Sequence, residues 1–421
     1  MNIGKISIKN FRYKPLYTFL GVLMLSVSIA LLLGIQKLDR SLKNQMENNL
    51  GNIDMVVGAK GSPLQLVLAS VLHIDNPTGN ISCTEAKTLA KNPMVEKAVP
   101  ISYGDNYQGY RIVGTTKDFA FLYGATLDKG KNIERSMEVI LGATLAERTN
   151  LKIGDTFQSS HGLAVLGSHE HDDLLTVVGI YRPTGKVIDR LLVTPLETIW
   201  DVHHHEENGK EVGHQDEHVN PDHDSEEGHH DEDNVLEEEN KEITSLLVSF
   251  RNPMALLNLP RAINENTNMQ AALPKFELDR LYQFTGVGIK VITGIAYAIL
   301  AISCITIFVS LYRMVRDRAF DLALMRTYGA SNFQLIKMVA YEGLLVAAIS
   351  FLIGTLLSYL GIYLIFKMIA DQYKQQMPIE FGYQEFLPTG FLVLTMVLFA
   401  IVFAIYPIVK MNISKILSHE K

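Results

Sequence analysis

The chain has 421 residues, of which 48% are apolar and 20% charged. Spread evenly, that composition would build two or three soluble domains. It is not spread evenly: charge-free stretches run from Pro15 to Gln36, Val291 to Leu311, Gly343 to Phe366 and Phe386 to Val409, each long enough to cross a hydrocarbon core about 30 Å thick, which excludes a soluble protein. The net charge of −7 is uneven too, because Asp201 to Glu242 holds 17 acidic and 2 basic residues and the remainder of the chain is net positive. Only two cysteines occur, Cys83 and Cys304, so neither a disulfide framework nor redox chemistry is supported.

In chain order, Lys5, Lys9, Arg12 and Lys14 precede the first apolar stretch. That stretch is longer than a signal-peptide core and no A-x-A site follows, so it reads as an uncleaved anchor. Short cytoplasmic loops collect Lys and Arg. Arg313, Arg316, Arg318, Arg326 and Lys337 follow the second stretch, and Lys410 and Lys415 follow the fourth. Both termini and the middle loop are therefore expected in the cytoplasm and residues 37–285 outside it. After the first span, Ile35, Leu38, Leu42, Met46 and Leu50 recur at three- and four-residue steps, which predicts a helical stalk rising from the membrane. Short β-like runs follow at Asp54 to Val57, Arg111 to Gly114, Glu138 to Leu141 and Leu174 to Tyr181, between Gly, Pro and Asp turns, and predict an extracytoplasmic α+β domain. A helical stretch from Pro253 to Phe284, interrupted by Pro260 and Pro274, leads back to the membrane. The fold class is thus a membrane protein of four transmembrane helices (1+3), with a large exported domain on helical stalks and residues 286–421 forming the three-span part.

The segment 201–242 differs in kind. His203, His204, His205, His214, His218, His223, His229 and His230 lie among acids with few apolar residues. Such a tract cannot bury a core and reads as a flexible insertion. Neutral imidazoles and carboxylates are ligands for zinc and its neighbours, and His161, His169 and His171 add a shorter cluster upstream. Metal contact is the favoured reading over a solvated loop with incidental histidines. No fixed site follows, since the spacing matches neither H-E-x-x-H nor a paired Cys/His pattern.

The middle loop holds the most specific pattern: Asp321-Leu-Ala-Leu-Met-Arg-Thr-Tyr-Gly-Ala-Ser331, within a helix expected over 316–328 and stopped at Gly329, where a left-handed cap suits glycine. This resembles the E-x-A-L-x-R-x-x-G-A-S stretch of the FtsX/MacB-type ABC permeases, with Asp321 in place of the usual Glu. Glu342, Ser350 and Gly354 look like that family's E-x7-G-x3-G with serine at the first glycine. In the exported part Leu141 to Ala146, Leu151 to Asp155, Val177 to Gly185 and Asp189 to Leu196 are similar to its periplasmic core domain. The resemblance implies that Arg316, Arg318, Asp321, Leu324, Met325, Arg326 and Gly329 belong to a coupling helix that docks on an ATPase. The His/acid tract and the segment Asp54 to Gln65 depart from the family pattern, so no substrate carries over.

The chain has no G-x-x-x-x-G-K-[ST] phosphate loop, since Gly58-Ala-Lys-Gly-Ser62 has the wrong spacing, and neither a nucleophile elbow nor a zinc-protease helix. ATP is expected to be hydrolysed by a separate subunit, and this chain is not expected to be an enzyme. Lys290 and Glu342 are the only charges near the spans, and both are expected to reach water from span ends, which disfavours an ion path. Gly343, Ala347, Ser350, Gly354 and Ser358 form one small-residue face suited to helix packing. The favoured reading is a homodimeric permease of the inner membrane. It would work by mechanotransmission, with an ABC ATPase and an envelope partner but no nucleic acid, and be tied to zinc or other divalent-metal homeostasis. Two alternatives stay open: an exporter of lipoprotein, lipid or peptide, and a non-transporting regulator of an envelope hydrolase.

Overall fold

The computed structural model describes residues 15–160, 170–202, 241–373 and 382–409. Its helices are α1 (Pro15–Asn49), α2 (Pro63–Ser70), α3 (Cys83–Ala90), α4 (Asp118–Leu122), α5 (Ala143–Thr149), α6 (Ala255–Asn266), α7 (Pro274–Asp317), α8 (Ala319–Thr327), α9 (Asn332–Tyr373) and α10 (Tyr383–Val409). The strands are β1 (Met55–Ala59), β2 (Ile81–Ser82), β3 (Val95–Tyr107), β4 (Tyr110–Thr115), β5 (Leu127–Gly130), β6 (Glu138–Leu141), β7 (Thr156–Ser160), β8 (Glu170–Tyr181), β9 (Leu192–Pro195), β10 (Glu242–Ile243), β11 (Ser245–Phe250) and β12 (Met269–Ala272). The chain divides into two compact units, one built on Lys43–Gln283 and one on the apolar helices to either side.

In the helical unit, α1, α7, α9 and α10 are long and apolar enough to span a membrane. Helices form there because a chain in hydrocarbon has no water to satisfy its N–H and C=O groups. At 44 residues, α7 extends about 66 Å at 1.5 Å per residue, about twice the hydrocarbon thickness. The buried side chains Leu25, Ile29 and Leu32 of α1, Leu300 and Ile307 of α7, Ala347 of α9 and Val397 and Ala400 of α10 form one cluster, while Leu352, Leu356, Phe399 and Phe403 face outward. The small-residue face of α9 is packed as its spacing predicts. A side chain at Gly354 would meet Ile29 Cβ and the Ser26 carbonyl at 2.8 Å, and Ser350 Oγ donates to the Val22 carbonyl at 3.3 Å. Ser28 and Ser303 join α1 to α7 through their hydroxyls at 2.7 Å.

The Lys43–Gln283 unit is built on a ten-stranded mixed sheet in the order β12-β1-β11-β3-β4-β9-β6-β8-β5, with β7 against β3 and β8. The pairs β4–β9 and β6–β8 are parallel. Period-two alternation divides its side chains between cores: Val56 and Leu247 enter one with Phe119 and Tyr123, while Met55, Val57, Leu246 and Val248 enter another with Leu259 and Ile263. The expected helical stretch from Pro253 to Phe284 is corrected: it is α6, then β12, then the start of α7. Met269–Ala272 pairs with β1, a partner some two hundred residues earlier, and that pairing overrides local helical preference. Pro260 lies inside α6, whereas Pro274 opens α7, where a missing N–H costs nothing.

Candidate functional site

The middle loop is two elements where one helix is expected over 316–328. Arg316 lies in the last turn of α7, Arg318 caps the next helix without a side-chain bond, and α8 runs from Ala319 to Thr327. Asp321 in its first turn and Arg326 in its last complement the helix dipole. The stop is a Schellman motif: Gly329 has φ +95°, its N–H donates to the Arg326 carbonyl at 3.1 Å, and the Ala330 N–H donates to the Met325 carbonyl at 3.0 Å. A capping box starts α9 at once. Ser331 Oγ accepts from the Gln334 N–H, and Gln334 Oε1 accepts from the Ser331 N–H. The turn between α8 and α9 is therefore tightly specified.

α8 buries Leu322 against Val315, Leu335, Met338 and Val339, with Met325 packed beside them, and Ala323 is buried as well. Its other face is open: Phe320, Asp321, Leu324 at 40% exposure and Tyr328 at 84% point outward, with Phe333 at 72% beyond the turn. The four-residue step from Phe320 to Leu324 to Tyr328 marks this face in the sequence, yet Phe320, Tyr328 and Phe333 are missed when the motif alone is followed. Glu342 does not reach water. It is 1% exposed, and its Oε1 lies 3.9 Å from Arg318 Nη1. Burying a carboxylate without a partner is costly, and this pair ties the α7–α8 junction to α9.

In the sheet unit a second polar centre joins distant segments. The Asp189 carboxylate, 6% exposed, accepts from the Thr184 N–H, the Thr184 hydroxyl and the Gly185 N–H at 2.7–3.0 Å. Arg190 Nη2 donates to the Leu72 carbonyl at 2.8 Å, and Lys186 Nζ to the Tyr123 carbonyl at 2.9 Å. A cleft of about 140 Å³ lies here, lined among others by Gln45, Thr144, Glu147, Lys186, Asp189 and Arg190. Deeper in the same unit, Tyr103 donates its hydroxyl hydrogen to the Ala69 carbonyl. It must therefore accept from His73 Nδ1 at 2.7 Å, which fixes the imidazole tautomer. Burial, followed by the Arg111 and Arg190 charges, holds the His73 pKa well below its ordinary value. Burial pushes the Tyr103 and Tyr123 hydroxyls up.

His203, His204, His205, His214, His218, His223, His229 and His230 lie outside the described residues, as do His161 and His169 and the side chain of His171. Among the described residues no group of three or more His, Cys, Asp or Glu is placed to hold a metal. The ends of the acidic insertion are placed. Trp200 Nε1 donates to the Glu242 carbonyl at 2.9 Å, Lys241 Nζ lies 5.1 Å from the Trp200 ring, and Val202 lines one small cavity with Ser159. Ser159 and Val202, which precede the two His-rich segments in sequence, thus lie in one neighbourhood.

Two family descriptions match the chain: a MacB-like periplasmic core domain over residues 18–220 and an FtsX-like permease C-terminal domain over 293–413. The chain belongs to the FtsX/MacB-type permeases. Such permeases are generally non-catalytic membrane subunits, and membership implies a membrane setting and an ATPase partner. Among solved structures, the periplasmic region of MacB from Actinobacillus actinomycetemcomitans matches at 11% identity over 55% of this chain and 94% of that one, with a TM-score of 0.33. The extracellular domain of the noncanonic ABC-type transporter YknZ from Gram-positive bacteria matches at 10% identity over 52% and 98%, with a TM-score of 0.29. A permease-protein domain from Porphyromonas gingivalis matches at 13% over 53% and 88%, with a TM-score of 0.27. At scores this low the likeness carries no weight of its own. No curated protein matches.

Proposed function

We propose that this FtsX/MacB-type permease is the membrane half of an ATP-driven machine of the inner membrane, working as a homodimer with a separate ABC ATPase. Its termini and α8 lie in the cytoplasm and the sheet unit outside. Closure of the ATPase moves α8, the long helices convey the displacement, and the exported unit does work on an extracytoplasmic substrate. The observation that carries this reading is the open face of α8. Apolar side chains at Phe320, Leu324 and Tyr328 are exposed in a basic loop that is too charged to enter hydrocarbon, and exposed apolar groups of this kind mark a protein partner. Replacing Leu324 or Arg326 with Asp puts an acid beside Asp321 and should abolish co-purification of the ATPase while membrane insertion stays intact. An unchanged complex would overturn the assignment, because a helix lying on lipid shows no such loss.

The cargo reading rests on the His/acid tract. We assign it a role in zinc or other divalent-metal homeostasis, as a collector of ions outside the membrane. The bond between Trp200 and Glu242 closes the insertion at its base, so removing 201–240 should leave the sheet unit folded. Imidazole binds zinc only when neutral, with an ordinary pKa of about 6.5, so zinc should bind in several weak steps at pH 7.5 and poorly at pH 5.5. Calorimetry on the detergent-purified chain with and without 201–240 tests this. Equal binding by the two would sink the metal role, and absence of binding by both would favour export of lipoprotein, lipid or peptide.

A further inference from the structure

From Lys37 to Asn49, the residues of α1 that are buried are Lys37, Ser41, Gln45 and Asn49. They recur at four-residue steps, so this seam of the stalk is polar, while Leu38, Leu42 and Met46 are only partly buried. Polar seams hold by directed hydrogen bonds, which can exchange partners, where apolar knobs lock by volume. Gln45 makes the bond that matters. Its Nε2 donates to the Gly185 carbonyl at 3.1 Å, 140 residues away in sequence, and reaches Asn49 Oδ1 at 3.4 Å.

Gly185 is held on both sides. Its N–H and the neighbouring Thr184 N–H are bound by the buried Asp189 carboxylate, and its φ of +70° lies where glycine is favoured. Asp189 and Arg190 sit in one short 3-10 turn, Val187–Arg190. That turn is backed by Gly142, where any side chain would collide with the Ile188 and Asp189 backbone. Through Arg190 the same turn holds the Leu72 carbonyl, and through Lys186 the loop holds the Tyr123 carbonyl. A displacement of Gln45 is therefore delivered to a rigid turn whose other contacts reach residues 71–76, where Arg111 also holds the Asp75 carbonyl. The segment that departs from the family pattern, Asp54 to Gln65, leads through α2 into residues 71–76.

We propose that Gln45 is the positioning residue through which the stalk α1 sets the conformation of the loop Pro183–Arg190, and through it of residues 71–76. This rests on the mechanotransmission reading above. The test is hydrogen exchange by mass spectrometry on the full chain in complex with its ATPase in nanodiscs, comparing the nucleotide-free state with a non-hydrolysable ATP analogue. Peptides covering 36–50, 183–190 and 71–76 are followed. In the wild type all three should change with nucleotide, by about two- to tenfold in exchange rate, the range that one hydrogen bond supports. In Gln45→Met, which keeps volume and removes the donor, the 36–50 peptide should still respond, while 183–190 and 71–76 stay within about 1.5-fold of their nucleotide-free rates. Gln45→Lys, which restores an N–H at similar reach, should recover the response. Should Gln45→Met unfold early, Gln45→Glu replaces it, since it keeps side-chain length and presents no N–H when ionised.

If no wild-type peptide responds, the mechanotransmission reading falls and this inference with it. A wild-type response in 36–50 without one in 183–190 would leave that reading standing and overturn the role of Gln45. So would a full response in Gln45→Met, or a failure of Gln45→Lys to restore what Gln45→Met had lost.

Discussion

His73 illustrates how a single buried side chain gives the sheet unit a pH dependence. Its imidazole is enclosed with Tyr103 and Phe119, has its Nε2 buried without a hydrogen-bond partner in the described structure, and faces the positive charges of Arg111 and Arg190. Its folded pKa is therefore below its unfolded one. The unfolded chain takes up the proton first as pH falls through about 6.5, so stability is full above that value and is lost below it, by up to about 1.4 kcal/mol per pH unit. His73→Asn does not titrate, and asparagine tolerates the left-handed backbone (φ +55°) found there. Thermal unfolding from pH 7.5 to 5 should show the wild-type midpoint falling more steeply than that of His73→Asn, and parallel curves would refute the assignment. None of this is legible in the sequence, where His73 is one histidine of 13 and the least conspicuous. Its environment is made by Tyr103, Arg111 and Arg190, which only the folded sheet brings to it.

At the scale of elements, the glycines of α9 separate packing from propensity. A side chain at Gly354 would meet α1 at 2.8 Å, against backbone as well as side chain, whereas Gly361 has nothing within 4 Å. Gly354→Leu should therefore force α1 and α9 apart, at a cost of several kcal/mol, while Gly361→Leu should be neutral or gain a few tenths from better helix propensity. Melting of the two variants in one detergent checks this, and equal melting points would contradict the close approach. The three- and four-residue rhythm of small side chains that reveals this face is readable without coordinates, as are the four spans and the run Glu138–Leu141, because each depends on local periodicity. The strand Met269–Ala272 and the break at Arg318 are not readable. The first depends on pairing with β1, and the second coincides with the Arg318–Glu342 ion pair and the burial of Leu322 and Ala323.

For the whole molecule, the division of labour follows from where the chain spends its polar groups. Among the described residues, the buried charged side chains of the long helices, Lys37 and Glu342 with its partner Arg318, fall at the span ends, whereas the buried polar groups within the spans are hydroxyls such as Ser28 and Ser303. The candidate site was partly legible in the same sense. The basic loop and its glycine stop stand out in sequence, but which residues of α8 face outward depends on the burial of Leu322 and Ala323. A photoreactive amino acid placed at Leu324 or Tyr328 in the membrane-embedded protein tests the central claim most directly. Irradiation in cells should crosslink this chain to an ATPase subunit carrying a phosphate-binding loop, identified by mass spectrometry. Crosslinks to lipid alone, with no ATPase captured from either position, would contradict it.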